Sequence, residues 1–390
     1  MTLRSRKSFS VAVFSVFLVL FFLPAFAKEG GEGNGSEKKR SFNTNEVIFG
    51  HILDAHEFHF FDITHKDGSV TPIGIPLPVI LYSPQRGLDV FMSSKFEHGH
   101  KSYRGYRSLD KHYLHDLERE GVDLKKEGLS AGKLIAVDAN GKWDRSIKFY
   151  DVSLTRNVVQ MILALALLVW IMITIAKRYQ KGFGVNTAPK GMQGLLEPVI
   201  IFVRDDIVRP NLGEKSERYL PYILTLFFFI LINNLVGLIP GTANVTGNIA
   251  FTLVLSVIAF IVLLLSSKKP YWRHILNPPG VPLPIKFILV PVEIMSLFVK
   301  PTALTIRLFA NMVAGHIIII CLISLIFIFS AMNKVAGIST SPLAVAFTVF
   351  IYFIEILVAF LQAYIFAMLT SVFVGETYAG EHHEKSHAAH

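Results

Sequence analysis

The most apolar part of the chain, residues 283–374, carries among its ionisable side chains Glu293, Lys300, Arg307, His316 and Glu355, and among its amides Asn311 and Gln362. Ionisable groups inside apolar segments are functional candidates by default, because they are costly there and persist beside water, ions or a partner charge. Arg307 is the most demanding of them. Its guanidinium keeps its proton, and holding that charge at the centre of a bilayer costs about 2.5 to 17 kcal/mol. A histidine and a carboxyl suggest a different chemistry, since together they can take up and release protons near neutral pH.

Spacing sorts these groups by face. On a continuous helix Arg307 and Asn311, four apart, share one side, whereas His316 is turned by about 180° and displaced by about 13.5 Å. Glu355 and Gln362 are seven apart and project from one face about two turns apart. If the two segments pack antiparallel, Gln362 comes to Arg307 and Asn311, and Glu355 comes to His316. Asn311 and Gln362 have an alternative use as hydrogen bonds that hold membrane helices together.

The elements that must position these residues are membrane helices. Hydrophobic residues make up 52% of 390 positions, with 32 phenylalanines, and they gather in long runs. This is the composition of an integral membrane protein. The net charge of +9 comes from lysines and arginines clustered beside those runs, where the positive-inside rule expects them, so nucleic acid is not an expected partner. The single cysteine, Cys321, excludes an intramolecular disulfide and a cysteine metal cluster. Neither a P-loop nor a dinucleotide fingerprint is present, and no cofactor is expected.

Residues 1–27 combine a basic start, "RSRK", an apolar run and the ending "AFA", the pattern of a cleaved signal peptide; an uncleaved first helix is the alternative. Residues 28–155 are polar and form an exported, periplasmic region that opens with the linker-like "KEGGEGNGSEKKR". Within it "SVTPIGIPLPVILY" reads as short extended pieces, and Asn140-Gly141 as a two-residue type I′ hairpin turn. The membrane domain spans 156–374, with helices over 156–176, 219–240, 248–267, 283–332 and 343–374, and an interfacial helix over 192–209. The fold class is therefore all-α and polytopic, with about five membrane-embedded segments, the last two long, tilted and packed as a hairpin. The basic loops after the first and third spans set those ends in the cytoplasm, together with a polar tail over 375–390.

The stretch "KPTALTIRLFANMVAGH", with "LQAYIFAMLT" downstream, resembles the a subunit of the F-type rotary ATP synthase, and R-L-F-x-N-M-x-A-G is a specific core. The resemblance runs from about residue 156 to 374 and includes "NNLVGLIPGTANVTGNIAFTL". It implies a non-catalytic, proton-translocating stator subunit of the F0 sector in a bacterial inner membrane. Arg307 would be the family's essential arginine, facing a carboxylate on the ring of c subunits. Asn311 and Gln362 match its neighbouring polar positions, and Glu293 its upstream acid. Further implied partners are b-type peripheral stalk subunits, the F1 head indirectly, and the lipid bilayer. Many bacterial members carry Glu where this chain has His316 and His where it has Glu355, so one acid and one imidazole are kept in exchanged places.

Two other classes compete. A secondary ion-coupled transporter also uses buried charges and broken helices, but it predicts repeated helix groups that are not evident here. An intramembrane metalloprotease would rest on His51, His56 and His59, whose spacing is not that of a zinc-protease helix. The C-terminal histidines read as a solvated tail.

Overall fold

The computed structural model describes residues 56–387 apart from 65–69, 100, 125, 131, 139, 183, 185–188, 190, 240–241 and 279–280. The expected signal peptide, the glycine-rich linker and His51 lie outside the described residues.

The first part is a small strand-rich domain. Strands β1 (Glu57–Thr64) and β2 (Val70–Pro76) form an antiparallel pair. After them come β3 (Pro78–Ser83), β4 (Gly87–Met92), β5 (Tyr106–Ser108), α1 (Lys111–Arg119), β6 (Leu134–Ala136) and β7 (Tyr150–Asp151). Strand β3 sits between β4 and β7, antiparallel to both, and β5 pairs with β6. Alternation along β3 turns Val79 and Leu81 inward, where they meet Phe91, Phe96, Tyr106 and Leu134 in one core. Helix α1 starts at Asp110, whose carboxylate accepts from Tyr113 N at 2.9 Å. It packs Leu117 on Leu109, Ile135 and Val137.

The Asn140-Gly141 turn forms, but it closes one position earlier than a two-residue hairpin would. Asp138 N donates to Lys142 O at 2.9 Å, and Gly141 takes a left-handed φ of 76°. The cause is the Asp138 carboxylate, which accepts from both Asn140 N and Lys142 N at 2.9 Å and so sets the loop.

The second part is helical: α2 (Arg156–Gln180), α3 (Met192–Phe202), α4 (Ser216–Gly237), α5 (Ile249–Ser266), α6 (Lys269–Leu276), α7 (Leu283–Met332) and α8 (Lys334–His387). Between α3 and α4 the chain passes through a π-helical stretch, Val203–Val208, and one further turn, Arg209–Leu212. Among the described residues five helical runs are long and apolar enough to cross a membrane, counting Met192–Gly237 as one. The expected all-α polytopic class with a strand-containing N-terminal region is therefore what the chain adopts.

Helix α7 is 50 residues long, about 75 Å, against a hydrocarbon core of about 30 Å. Such a helix must tilt steeply. It turns at Asn333 and runs back alongside α8, giving the expected hairpin. Helix α8 begins at Lys334 and continues to His387, beyond both ends of the expected 343–374. Tertiary contact carries it there: Gly337 packs on Ser330 at one end, and Tyr378 OH meets Tyr219 OH at 2.7 Å at the other. The core of the helical part gathers Val203, Ile207, Ile223, Phe227, Leu308 and Phe366. The apolar face of α3 turns toward it through Leu196, Val199 and Ile200, while Leu195 is exposed.

Candidate functional site

All the singled-out polar residues lie on the α7–α8 hairpin, and its packing sets their levels. Ala359, Ala363 and Ala367, four apart, are fully buried on one face of α8. Residues this small let two helices approach closely. Leu304 and Leu308 of α7 share a core with Ala363 and Ala367, and Met312 packs with Ala359 and Leu238. Gln362, itself buried, therefore stands at the level of α7 between Leu308 and Met312, the turn that carries Arg307 and Asn311.

Arg307 is half-buried and Asn311 exposed. Among the described residues neither has a hydrogen-bond or ion-pair partner in the chain, and Gln362 likewise makes no side-chain hydrogen bond. An arginine on an apolar helix with no counter-charge among the described residues is the outstanding feature of the site.

About two turns from Gln362 toward the hairpin bend, Glu355 is only 6% exposed. Its Oε1 lies against Gly315, where a Cβ would meet the carboxyl and the Glu355 side chain would have to move aside. Glu355 thus reaches α7 at the residue preceding His316, the level expected for the pair. Its Oε2 is buried with no hydrogen-bond partner among the described residues.

Around this level the connection between α4 and α5 folds inward. Gln160 of α2 clasps the Ala243 backbone in both directions, with Nε2 donating to the carbonyl at 2.5 Å and Oε1 accepting from the amide at 2.7 Å. Asn244 Nδ2 lies 3.5 Å from Met312 O, and Asn234 Nδ2 donates to Ala359 O at 3.2 Å. On the far side of Arg307, Ser256 and Thr305 hydroxyls are 2.5 Å apart. Beyond them Lys300 Nζ pairs with Glu376 Oε2 at 2.5 Å and sits 4.8 Å from the Phe373 ring centroid. Glu293 is half-buried and accepts from Ser296 Oγ at 3.3 Å. It lies 14 residues before Arg307, about 21 Å along the helix, and is not brought to it.

Gln160, Asn234, Asn244, Ser256 and Thr305 escape a search for ionisable groups. The signal that finds them is a short polar side chain in the middle or at the mouth of an apolar run, as in "LINNLVG". Among the described residues no three His, Cys, Asp or Glu side chains stand together as a metal site. His56 instead directs Nε2 at Asp151 Oδ2, 2.9 Å away, and Nδ1 at Gly132 O, 3.2 Å away.

Residues 158–375 match the profile of the ATP synthase A chain. The chain belongs to that family. Among its relatives, ATP synthase subunit a of Chloroherpeton thalassium is 46% identical over 237 residues, covering 60% of this chain and 69% of the relative. ATP synthase subunit a 2 of Prosthecochloris aestuarii is 43% identical over 246 residues, covering 62% of this chain and 73% of the relative. Residues 47–152 match a separate family described as a domain of unknown function, DUF8433. A member of the ATP synthase A chain family is a non-catalytic F0 channel subunit, multi-pass in the membrane and working with the other F0 subunits.

Proposed function

We propose that this subunit is the F0 stator element that couples proton flow to rotation of the c ring, with Arg307 as the residue that makes the coupling tight. The observation that carries the reading is the absence, among the described residues, of any partner for Arg307 on its own chain. A charge so costly to hold in a membrane must be offset from elsewhere, and a carboxylate on each passing c subunit offsets it. Asn311, one turn from Arg307 on α7, and Gln362, at that level on α8, are also without side-chain hydrogen bonds among the described residues and line the same rotor-facing surface.

Protons reach that surface by two half-channels. The outer one runs past His316 and Glu355, with Asn234 and Asn244 nearby. The inner one runs past Ser256, Thr305, Lys300 and Glu293. Glu355 and His316 supply one carboxyl and one imidazole at one level, which is the pair needed to pass protons through a narrow, partly dry segment. Between the two routes the fixed positive charge of Arg307 repels a proton that would otherwise cross directly. Each proton crossing 100 mV releases about 2.3 kcal/mol, so several must act through rotation for one ATP, and a leak would dissipate that energy.

The same reading sets the N-terminal region in the periplasm after signal cleavage, the C-terminus in the cytoplasm of a bacterial inner membrane, and b-type stalk subunits and the F1 head as further partners. Cross-linking tests it. In a Cys321→Ser chain, Asn311→Cys should form a disulfide with a cysteine placed beside the c-subunit carboxylate, while Phe353→Cys, exposed elsewhere on the hairpin, should not. Equal yields at both positions, or none at Asn311, would contradict it.

A further inference from the structure

The N-terminal domain leaves one sheet face bare. Strands β3, β4 and β7 bury Val79, Leu81 and Phe91 on one side, and on the other they display Tyr82, Leu88, Val90, Met92, Tyr150 and Val152. These six side chains are 44% to 65% exposed. The register makes them neighbours: Tyr82 lies opposite both Leu88 and Tyr150, Val90 opposite Ile80, and Met92 opposite Pro78. Within the three strands no charged residue falls on this face, because Asp89 and Asp151 alternate to the other one. Together they expose on the order of several hundred Å² of contiguous apolar surface, the upper end of what a soluble domain tolerates without using it.

Where this face stands follows from its attachment. Strand β7 leads into α2 through only Val152–Thr155, at most about 14 Å of chain. Those residues are tied to β3: Val152 N donates to Ile80 O at 3.0 Å, Leu154 N to Pro78 O at 3.3 Å, and Ile80 N to Ser153 Oγ at 3.0 Å. The sheet is thus fastened to the root of a membrane helix without slack. That helix presents Ile162, Leu163 and Trp170 outward, at 49%, 60% and 61% exposure, as a lipid-facing surface. The bare face lies within a few residues of the start of that helix, and its composition, aliphatic with two tyrosines, is that of a membrane–water interface.

We infer that the β3–β4–β7 face rests on the lipid bilayer, so that the N-terminal domain is a membrane-seated foot that fixes the angle at which α2 enters. The partner is the leaflet itself, bound through apolar contact and tyrosine hydroxyls, not through charge. This inference does not depend on how protons move through α7 and α8.

The test uses the full chain in its F0 complex, reconstituted in vesicles of phosphatidylethanolamine and phosphatidylglycerol. Nitroxide labels are placed at Leu88→Cys and, separately, Val90→Cys in a Cys321→Ser background, with Lys142→Cys, on an exposed turn, as the aqueous reference. Collision with membrane-dissolved oxygen is compared with collision with a water-soluble nickel chelate. The expected result is an oxygen-to-nickel ratio several-fold higher at both sheet positions than at Lys142. A ratio equal to that at Lys142 overturns the inference, because the face is then in water. Labels shielded from both reagents overturn it too, because a protein surface then covers the face. Both positions are solvent-facing in the fold, and co-purification of the other F0 subunits establishes that each labelled chain assembles.

Discussion

Gly315 shows how much of this site depends on an atom that is not there. The Glu355 carboxyl occupies the space of a missing Cβ, so Gly315→Ala should displace that carboxyl and lower stability by about 1 kcal/mol in thermal unfolding of the reconstituted subunit. Shortening the intruding side chain by Glu355→Ala in the same chain should recover part of that loss; strictly additive losses would mean the two residues do not meet. In the N-terminal domain, Asp151 illustrates a different balance. Burial alone would raise its pKa, but hydrogen bonds from His56 and from the Ser153 hydroxyl and amide prevail and hold the carboxyl below its ordinary value. Its folded pKa is depressed, so its contribution to stability is present above the unfolded value of about 3.9 and is lost as pH falls through the folded one. Asp151→Asn should therefore open β3 and β7 faster than the parent in hydrogen exchange at pH 5, and the difference should shrink below about pH 4. Residue chemistry was legible early where a charge stood in an apolar run, as with Arg307. It was not legible for Gln160 or Thr305, because a neutral polar side chain in a helix looks alike whether it joins helices or lines a route.

At the scale of elements, the seam of Ala359, Ala363 and Ala367 sets how closely α7 and α8 approach. Ala363→Leu should force the hairpin open, lowering stability by about 1–3 kcal/mol and the yield of assembled complex, whereas Leu361→Ala on the exposed side should change little. Retention of the c ring and the melting temperature of the purified complex measure both. The five membrane runs were readable from hydropathy because an uninterrupted apolar segment of that length has few other uses. The ends of α8 were not. Hydropathy stops at about residue 374, but the helix continues because Tyr378 and Thr377 find Tyr219 and Ser266 across the bundle, contacts invisible to a one-dimensional pattern. The Asn140-Gly141 turn shows the same limit at short range, since the dipeptide marks the turn while the carboxylate of Asp138 decides where it closes.

The whole molecule joins a family-typical helical part to a strand-rich domain of separate kinship, with matches over 158–375 and 47–152. The family of the helical part was legible because an arginine in an apolar run sits in a specific motif. The N-terminal domain carries no comparable motif, and its exposed sheet face emerges only from the register of three strands. The central claim is that the charge of Arg307 both meets the rotor and blocks a leak. The direct measurement is Arg307→Ala in membrane vesicles, with ATP-driven proton pumping followed in the intact complex and passive proton flow followed after removal of the catalytic head. The account predicts that coupled pumping is lost while passive proton flow persists through an unguarded path. Undiminished ATP-driven pumping in the Arg307→Ala complex would contradict it.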